Sequence, residues 1–239
     1  RSRFSFPGKL QPIPMPKRAL ICGISGQDGT YLTELLLGKG YEVTGTSRDA
    51  GSSEFRNLTS RGLRARVRLV SMNLTDFRSV LQVLTQAQPD EIYNLAGQSS
   101  VSLSFEQPID TFDSVAVAAL NLLEAIRFMA RPIRLYNACS SECFGDTGDA
   151  AANEGTPFRP NSPYATARAA AYWAVANYRD AYGLHACSGI LFNHESPLRP
   201  ERFVTQKVVS AARRIAGGSK ERLTLGTLSI VRDWGWAPE

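Results

Sequence analysis

The chain has 239 residues, of which 43% are hydrophobic and 21% are charged, and its formal net charge is +5. This length suits one sizeable domain with room for a small second lobe. No apolar run approaches the length of a membrane span and no signal-peptide pattern occurs, so we expect a soluble protein without a membrane partner.

The positive charge is concentrated at the amino terminus. The first 18 residues carry five basic and no acidic side chains, which leaves residues 19–239 neutral overall. A neutral body argues against a nucleic-acid partner. The same arm contains four prolines, which disfavour a helix. We interpret residues 1–16 as an upstream arm or a cloning remnant, with a native start near Met15.

Cysteine and histidine usage limits the chemistry further. The four cysteines, Cys22, Cys139, Cys143 and Cys187, form no CxxC pair, and the chain has only two histidines. Reduced, buried thiols are the simplest interpretation, and they fit a cytoplasmic location. Two histidines exclude a multi-histidine site, so we predict no metal.

Strands and helices alternate along the chain. Alternating hydrophobic runs predict six strands, at residues 18–22, 41–47, 66–72, 91–96, 133–139 and 186–192. Helical patterns fall at residues 30–40, 76–88, 109–130 and 162–183. This order predicts an α/β fold, a doubly wound parallel sheet of the NAD(P)-binding Rossmann type over residues 17–192. Residues 193–239 would then form part of a small, apparently incomplete substrate lobe.

The first strand leads into a glycine-rich turn. Gly23, Gly26 and Gly29 form GxxGxxG between a predicted strand and a predicted helix. Such glycines allow the tight turn, the approach of backbone to a pyrophosphate and close helix packing, and the helix amino terminus favours the anion. We therefore predict dinucleotide binding.

The end of the second strand bears on which dinucleotide binds. An acidic residue there favours NAD through the ribose hydroxyls, whereas an arginine accommodates the 2′-phosphate of NADP. Both Arg48 and Asp49 occur. Because a guanidinium is well shaped for phosphate, we predict NADP and leave NAD as the alternative.

Three further groups of residues follow the carboxyl ends of strands. Ser140 and Glu142 follow the fifth strand, Tyr164 precedes Arg168 by one helical turn, and His194 follows the sixth strand. Ligands of open α/β sheets bind at that edge, so these groups can converge in one crevice.

At these segments the sequence resembles the extended short-chain dehydrogenase/reductases, and within them the GDP-mannose 4,6-dehydratase family. The matching stretches include GISGQDGTYL, SSECFG, SPYATARAAAYWAVANYRDAYG, GILFNHESPLRPERFVTQK and RDWG. The resemblance covers about residues 17–236. The run GILFNHESP with FVTQK is the specific part, because GxxGxxG alone is shared by many enzymes.

The resemblance implies a lyase of deoxysugar biosynthesis. Such an enzyme would oxidise GDP-mannose at C4 with bound NADP, eliminate water across C5 and C6, and return the hydride to C6, giving GDP-4-dehydro-6-deoxymannose. Tyr164 matches the base for the C4 hydroxyl, Glu142 the base for the C5 proton, and Ser140 a family threonine. A homodimer or homotetramer is also implied.

The resemblance assigns binding residues by position. The implied cofactor-binding residues are Gly23, Ser25, Gly26, Gln27, Asp28, Gly29, Tyr31, Arg48, Asn73, Leu74, Leu95, Ala96, Gln98, Ser99, Tyr164, Arg168, His194 and Arg199. The implied substrate-binding residues are Ser99, Ser140, Glu142, Tyr164, Asn193, Val204, Lys207 and Arg232.

Two departures from the family pattern bear on the site. Arg168 replaces a lysine, and Asn73 replaces an aspartate near the adenine. Arginine keeps the charge of lysine but not its geometry, so turnover could be reduced. Two alternatives therefore stay open: a catalytically impaired protein that binds NADP and a nucleotide sugar, and a related epimerase or reductase, against which Glu142 argues.

Overall fold

The computed structural model describes residues 15–148 and 150–239. Most of the predicted amino-terminal arm lies outside this part. A six-stranded parallel sheet forms the centre, with strands β1 (Arg18–Cys22), β2 (Glu42–Ser47), β3 (Arg68–Ser71), β4 (Glu91–Asn94), β5 (Arg134–Ser140) and β6 (Ala186–Leu191). The strand order β3-β2-β1-β4-β5-β6 is that of a Rossmann domain and confirms the predicted fold class.

Eight α-helices are described. They are α1 (Gln27–Gly38), α2 (Arg56–Ser60), α3 (Phe77–Ala87), α4 (Val101–Glu106), α5 (Pro108–Phe112), α6 (Ala118–Met129), α7 (Pro163–Tyr182) and α8 (Val204–Ala216). Among the described residues, no helix is both long and apolar enough to cross a membrane.

Both faces of the sheet are buried. Leu20 and Ile92 belong to an apolar cluster with α3 and α6, whereas Ile21 and Val43 belong to a second cluster with α1. Successive strand residues point to opposite faces, so continuous apolar strands such as RALIC bury side chains on both. Helices on both faces keep the carboxyl edge of the sheet free for a ligand.

The predicted helix at residues 109–130 is wrong as a single continuous helix. Residues 113–117 form a π-helical turn between α5 and α6. This turn brings the Ser114 hydroxyl close to the Gln98 backbone N–H, which donates a hydrogen bond to it at 3.4 Å. Such π turns often occur at functional sites, and this one lies against the loop after β4.

A hydrogen bond between two buried asparagine side chains joins the neighbouring strands β4 and β5. Asn94 and Asn137 lie in register on β4 and β5, and the Asn94 side chain donates to Asn137 Oδ1 at 2.8 Å. Both residues are almost completely buried. Since each side chain satisfies part of the other's hydrogen-bonding capacity, the pair favours this register over a slipped one.

The carboxy-terminal region is more open than the sheet. Strands β7 (Asn193–Glu195) and β8 (Trp234–Trp236) pair in parallel, and α8 lies between them in the chain. Within residues 193–239 only Ser196 and Ala211 are buried. The boundary of a substrate lobe near residue 193 stays a prediction.

Candidate active site

The turn after β1 excludes side chains at two of its glycines. Gly23 has φ +82°, and a Cβ there would lie 3.0 Å from backbone atoms of Leu95 and Ala96. A Cβ on Gly29 would lie 2.5 Å from the Gly23 carbonyl oxygen. The backbone therefore packs directly against the β4 loop, where a side chain would not fit.

The amino terminus of α1 is open toward this turn. Gly26 is the N-cap residue, and no side chain caps the helix. Ser25 and Gly26 are exposed, while Tyr31 is half-buried one turn further on. Uncapped N–H groups together with the helix dipole form an anion site, so these residues fit a dinucleotide pyrophosphate.

His194 connects β7 to the first turn of α1. Its Nε2 lies 2.9 Å from Asp28 Oδ1 and its Nδ1 lies 2.6 Å from the Phe192 carbonyl oxygen. The hydrogen bond to Asp28 raises the pKa of His194 despite burial. Burial opposes ionisation of Asp28, but the hydrogen bond and charge of His194 outweigh it and lower the Asp28 pKa. An imidazolium that donates from both ring nitrogens satisfies both acceptors.

Gln27 makes a second connection at the same place. Its amide nitrogen donates to the His194 carbonyl at 3.1 Å, and its amide oxygen accepts from the Ser196 hydroxyl at 2.7 Å. Arg199 lies nearby, with Nε 3.3 Å from Glu195 Oε1 and its guanidinium stacked 3.7 Å from the Phe203 ring. The predicted residues Gln27, Asp28 and His194 are therefore brought together.

The two charged residues after β2 are in different environments. The Asp49 carboxylate accepts from the Gly51 and Ser52 amides at 2.9 and 3.1 Å, and the hydrogen bonds from Ser52 lead in lowering its pKa. The Arg48 side chain is exposed, and within residues 15–148 and 150–239 it makes no hydrogen bond or ion pair. Arg48 is thus available to a ligand, whereas Asp49 stabilises its own loop.

The remaining predicted cofactor residues lie in the loops after β3 and β4. Asn73 Oδ1 accepts from the backbone and hydroxyl of Thr75, so this side chain stabilises its own turn. The Gln98 amide nitrogen donates to the Ser100 carbonyl at 2.7 Å. Leu74, Leu95 and Ala96 are half-buried and Ser99 is exposed.

A short 3₁₀ helix after β5 carries the predicted base. It spans Ser141–Phe144, and the Ser140 hydroxyl accepts from the Glu142 amide at 3.3 Å. Ser140 is 8% exposed and the Glu142 side chain 24%. The Ser140 hydroxyl and the Glu142 carboxylate thus belong to one turn at the carboxyl edge of the sheet.

Tyr164 lies in the first turn of α7. Ser162 caps this helix by accepting from the Ala165 amide at 3.1 Å, and Pro163 occupies the first helical position. Tyr164 is 7% exposed. The cap therefore sets the position of the predicted catalytic phenol.

Arg168 is buried beside Tyr164. Its Nη1 donates to the Ala138 carbonyl at 2.8 Å, its guanidinium lies 5.3 Å from the Tyr164 ring centroid, and its Nε is buried without a hydrogen-bond partner in the described structure. A Cβ on Gly97 would lie 3.5 Å from Nη2. The arginine thus keeps a positive charge at Tyr164 and occupies space between β5 and the β4 loop.

Of the predicted substrate residues in the carboxy-terminal region, Arg232 contacts the predicted base, whereas the others make contacts within that region or are exposed. Arg232 Nη2 lies 3.7 Å from Glu142 Oε1, so this exposed arginine contacts the predicted base. The Lys207 ammonium donates to the Thr224 carbonyl at 2.6 Å, and Asn193 pairs with Trp234 between β7 and β8. Val204 is exposed at the start of α8.

Three residues that contact the site were not among the predicted ones. Gly97, with φ +116°, lies against Arg168, and the Ala138 carbonyl accepts from it. The Asn57 amide donates to the carbonyls of Ser25 and Leu198, at 3.1 and 3.4 Å. A glycine in the loop after a strand, such as Gly97, is a usable sequence signal. The backbone acceptor of Ala138 and the long-range contacts of Asn57 have no signal in the sequence.

Known proteins with similar sequences agree on one family. The family model described as GDP-mannose 4,6 dehydratase matches residues 20–239. GDP-mannose 4,6 dehydratase 2 of Arabidopsis thaliana is 49% identical over 92% of this chain and 62% of its own length. GDP-mannose 4,6-dehydratase of Sinorhizobium fredii is 48% identical over 93% of this chain and 66% of its own length. The chain thus spans less than two thirds of these relatives.

Solved structures share the fold. The Thermus thermophilus UDP-glucose 4-epimerase, in complex with NAD, has a TM-score of 0.79 and 28% identity, covering 92% of this chain and 71% of its own. A dTDP-glucose 4,6-dehydratase from Streptomyces venezuelae has a TM-score of 0.79 at 23% identity, covering 92% and 68%. With the family match over residues 20–239, the sequence comparisons show that this chain belongs to the GDP-mannose 4,6-dehydratase family.

Proposed function

We propose that this chain carries the cofactor-binding and catalytic part of a GDP-mannose 4,6-dehydratase, which converts GDP-mannose into GDP-4-dehydro-6-deoxymannose. The observation that carries this proposal is the turn after β5, where the Glu142 carboxylate stands beside Ser140 at the same sheet edge as Tyr164. A simple reductase or epimerase has no need of a carboxylate that removes a carbon-bound proton.

A nicotinamide dinucleotide fits the residues present. Two glycines leave no room for a Cβ, and among residues 15–148 and 150–239 no side chain caps α1 and none pairs with the buried Arg168 Nε. The turn after β1 and the start of α1 would hold the pyrophosphate. When bound, the nicotinamide supplies hydride acceptance and donation.

The protein residues then handle protons and charge. Tyr164 accepts the proton of the C4 hydroxyl, and the Arg168 guanidinium holds a positive charge 5.3 Å from the centre of its ring. Ser140 donates a hydrogen bond to the C4 oxygen as negative charge develops there. Glu142 removes the C5 proton, which the neighbouring ketone makes acidic, and can return it to the departing C6 hydroxyl.

NADP is the proposed dinucleotide. Arg48 is exposed without an ionic partner in the described chain, whereas Asp49 is occupied by backbone amides of its own loop. A carboxylate already bound in this way is a poor acceptor for ribose hydroxyls. The exposed guanidinium suits a 2′-phosphate.

The partners and setting of the chain are also proposed. Arg232, whose Nη2 lies 3.7 Å from Glu142 Oε1, would bind the substrate diphosphate. Large apolar side chains exposed on helices α4 to α7, among them Phe105, Ile109 and Trp173, support a homodimer or homotetramer. Four free thiols favour a reducing, cytoplasmic compartment.

The test follows the two chemical stages separately. Purified protein is incubated with GDP-mannose and NADP⁺, and the sugar nucleotide is analysed by mass spectrometry. Wild type should form the dehydrated product. Glu142→Gln should still form NADPH in a single turnover but lose dehydration by about 10²-fold or more. Glu106→Gln, at an exposed position on α4, serves as the matched control.

The outcomes distinguish the open alternatives. Tight NADPH binding without any product from wild type would favour a binding homologue and would refute the proposed function. Dehydration by Glu142→Gln at the wild-type rate would show that another group removes the C5 proton. A 4-epimer of the substrate would instead indicate an epimerase.

A further inference from the structure

Two thiols flank the catalytic turn. Cys139 is the residue before Ser140, and Cys143 is the residue after Glu142. Their sulfur atoms lie 3.5 Å apart, and both residues are buried, at 3% and 0% exposure. The proposed chemistry uses neither of them.

The pair is directly connected to the rest of the site. Cys139 Sγ lies 3.8 Å from the Arg168 carbonyl oxygen, and Cys143 Sγ lies 3.6 Å from the Ala165 carbonyl oxygen. These carbonyls belong to the part of α7 that carries Tyr164. A change at either sulfur therefore acts on both the 3₁₀ turn and the first turns of α7.

The two thiols of the pair differ in how readily they ionise. The hydrogen bond from Cys143 leads in lowering the pKa of Cys139, and the Arg168 charge acts in the same direction. The hydrogen bond and burial raise the pKa of Cys143. A thiol whose ionisation is favoured and which touches a second thiol can be oxidised to a sulfenic acid that the second thiol converts into a disulfide.

We propose that Cys139 and Cys143 form a reversible redox modification site in which peroxide converts the dithiol into an intramolecular disulfide. The Cys139 thiolate attacks one peroxide oxygen, so that an S–O bond forms, the O–O bond breaks and hydroxide leaves to become water. Cys143 then attacks the sulfenic sulfur, forming the S–S bond and releasing the second water. Two thiols and one hydrogen peroxide thus give one disulfide and two waters, and a dithiol reductant reverses the change.

The disulfide would distort the turn between the two cysteines. A disulfide bond is about 2.05 Å long, so the sulfurs must approach by roughly 1.5 Å from their present contact. Only Ser140, Ser141 and Glu142 lie between the two cysteines. The approach of the sulfurs should therefore displace Ser140, the proposed hydrogen-bond donor, and Glu142, the proposed base. Misplacement of catalytic groups on this scale can lower turnover by about 10²-fold. This consequence rests on the proposed function, whereas formation of the disulfide does not.

The primary test reads the covalent state. The full chain is treated with hydrogen peroxide in stoichiometric amount, unfolded in denaturant, alkylated, digested with trypsin and analysed by mass spectrometry. The peptide of residues 135–168 contains Cys139 and Cys143 and no other cysteine. We expect it to lose two hydrogens, to escape alkylation and to regain both thiols with dithiothreitol.

The chain supplies matched controls. Desolvation raises the pKa of Cys22 to about 12, so it should remain a thiol. Cys187 is exposed and can react on its own, so Cys187→Ser should leave the disulfide in peptide 135–168 unchanged. Cys143→Ser should halt oxidation at the sulfenic acid on Cys139, which a dimedone probe labels.

Function is measured in parallel. Oxidised wild type should turn over GDP-mannose at least about tenfold more slowly and recover with dithiothreitol, while Cys139→Ser/Cys143→Ser should be insensitive to the same treatment. A protein without any turnover would refute the proposed function and leave the disulfide readout intact. Peptide 135–168 that remains fully alkylatable, while Cys187 is oxidised, would overturn the modification site.

Discussion

The turn after β1 and the turn after β5 lie at the same edge of one sheet but are built from different groups. The first consists of glycines and backbone N–H groups, and packing against the β4 loop fixes its shape. The second depends on the side chains of Ser140, Glu142 and Arg168. Substitutions that add side-chain atoms to the turn after β1 should therefore weaken cofactor binding. Substitutions that remove functional groups near the turn after β5 should lower turnover. Of the two predicted departures from the family pattern, Arg168 falls at the second kind of site and Asn73 lies near neither turn's reacting groups.

Removal of one hydroxyl should have the largest effect. Tyr164→Phe deletes the group that accepts the C4 proton while leaving the buried ring in place. We expect turnover of GDP-mannose to fall by about 10³-fold, with NADPH affinity changed by less than about threefold. Tyr172→Phe, on the same helix, is the control. Equal losses of turnover and NADPH affinity would contradict the division between the two turns.

Removal of the charge beside Tyr164 should rank second. Arg168→Met keeps the volume of the buried side chain but loses its charge and its donation to Ala138, so we expect about 10²-fold lower turnover. Arg168→Lys retains the charge and should remain within about tenfold of wild type. If lysine proves as harmful as methionine, the planar guanidinium itself is required.

An added methyl group should damage the first turn. Gly29→Ala places a Cβ 2.5 Å from the Gly23 carbonyl oxygen, and overpacking of about 1–3 kcal/mol would weaken NADPH binding by roughly 5- to 150-fold. Gly38→Ala is the matched control, because a Cβ there meets nothing within 4 Å. Fluorescence titration measures both variants. Unchanged affinity in Gly29→Ala would show that the turn yields more easily than its contacts indicate.

The exposed charge after β2 should have a smaller, selective effect. Arg48→Ala should weaken NADP binding by about tenfold and leave NAD binding almost unchanged, since only the 2′-phosphate needs the guanidinium. Calorimetric titration with both dinucleotides measures the ratio, with exposed Arg222→Ala as control. Equal weakening for both dinucleotides would assign Arg48 to another part of the cofactor.

The His194–Asp28 contact should give the smallest effect. The raised pKa of His194 means that its contribution to stability is complete below pH 6.5 and is lost as the pH rises through the raised value. The contribution of Asp28 is present above pH 3.8 and is lost as the pH falls through its lowered pKa. For this partly exposed pair we expect about 1 kcal/mol or less.

Proton NMR can follow this pair because the chain has only two histidines. Asp28→Asn should lower the titration midpoint of one histidine resonance and leave that of His185 unchanged. Asp110→Asn, at an exposed position, should change neither. An unchanged midpoint for His194 in Asp28→Asn would show that the contact is absent in solution.

The sheet could be predicted from sequence because its strands are continuous apolar runs between glycine-rich or polar turns. RALIC is such a run, and its bounds as β1 were predicted without error. Helix α2 was missed because its burial comes from Phe55 and Leu58, two isolated apolar residues in a polar segment. The π turn at residues 113–117 depends on contacts with the β4 loop, which no local pattern encodes.

The candidate site could be predicted where the residue types carry the signal, as do the glycines of the turn after β1 and the polar side chains that follow β5. Ser140, Glu142 and Tyr164 were found from their order after strands, and the structure places them at one sheet edge. The orientation of Arg168 depends on the Ala138 carbonyl and on space beside Gly97, and no local sequence pattern encodes either contact. The approach of Cys139 to Cys143 likewise depends on the 3₁₀ turn, because four residues on an extended strand would separate their Cα atoms by about 13 Å.

The Asn94–Asn137 pair limits how this protein can change in length. The loops at residues 95–99 and 140–142 leave the same two strands, just beyond the paired amides. A one-residue insertion within either strand would replace one amide by an apolar neighbour and displace one loop against the other by about 3.3 Å. We therefore expect an inserted residue to be tolerated better in a segment such as 145–161, which follows the catalytic turn and precedes the cap of α7.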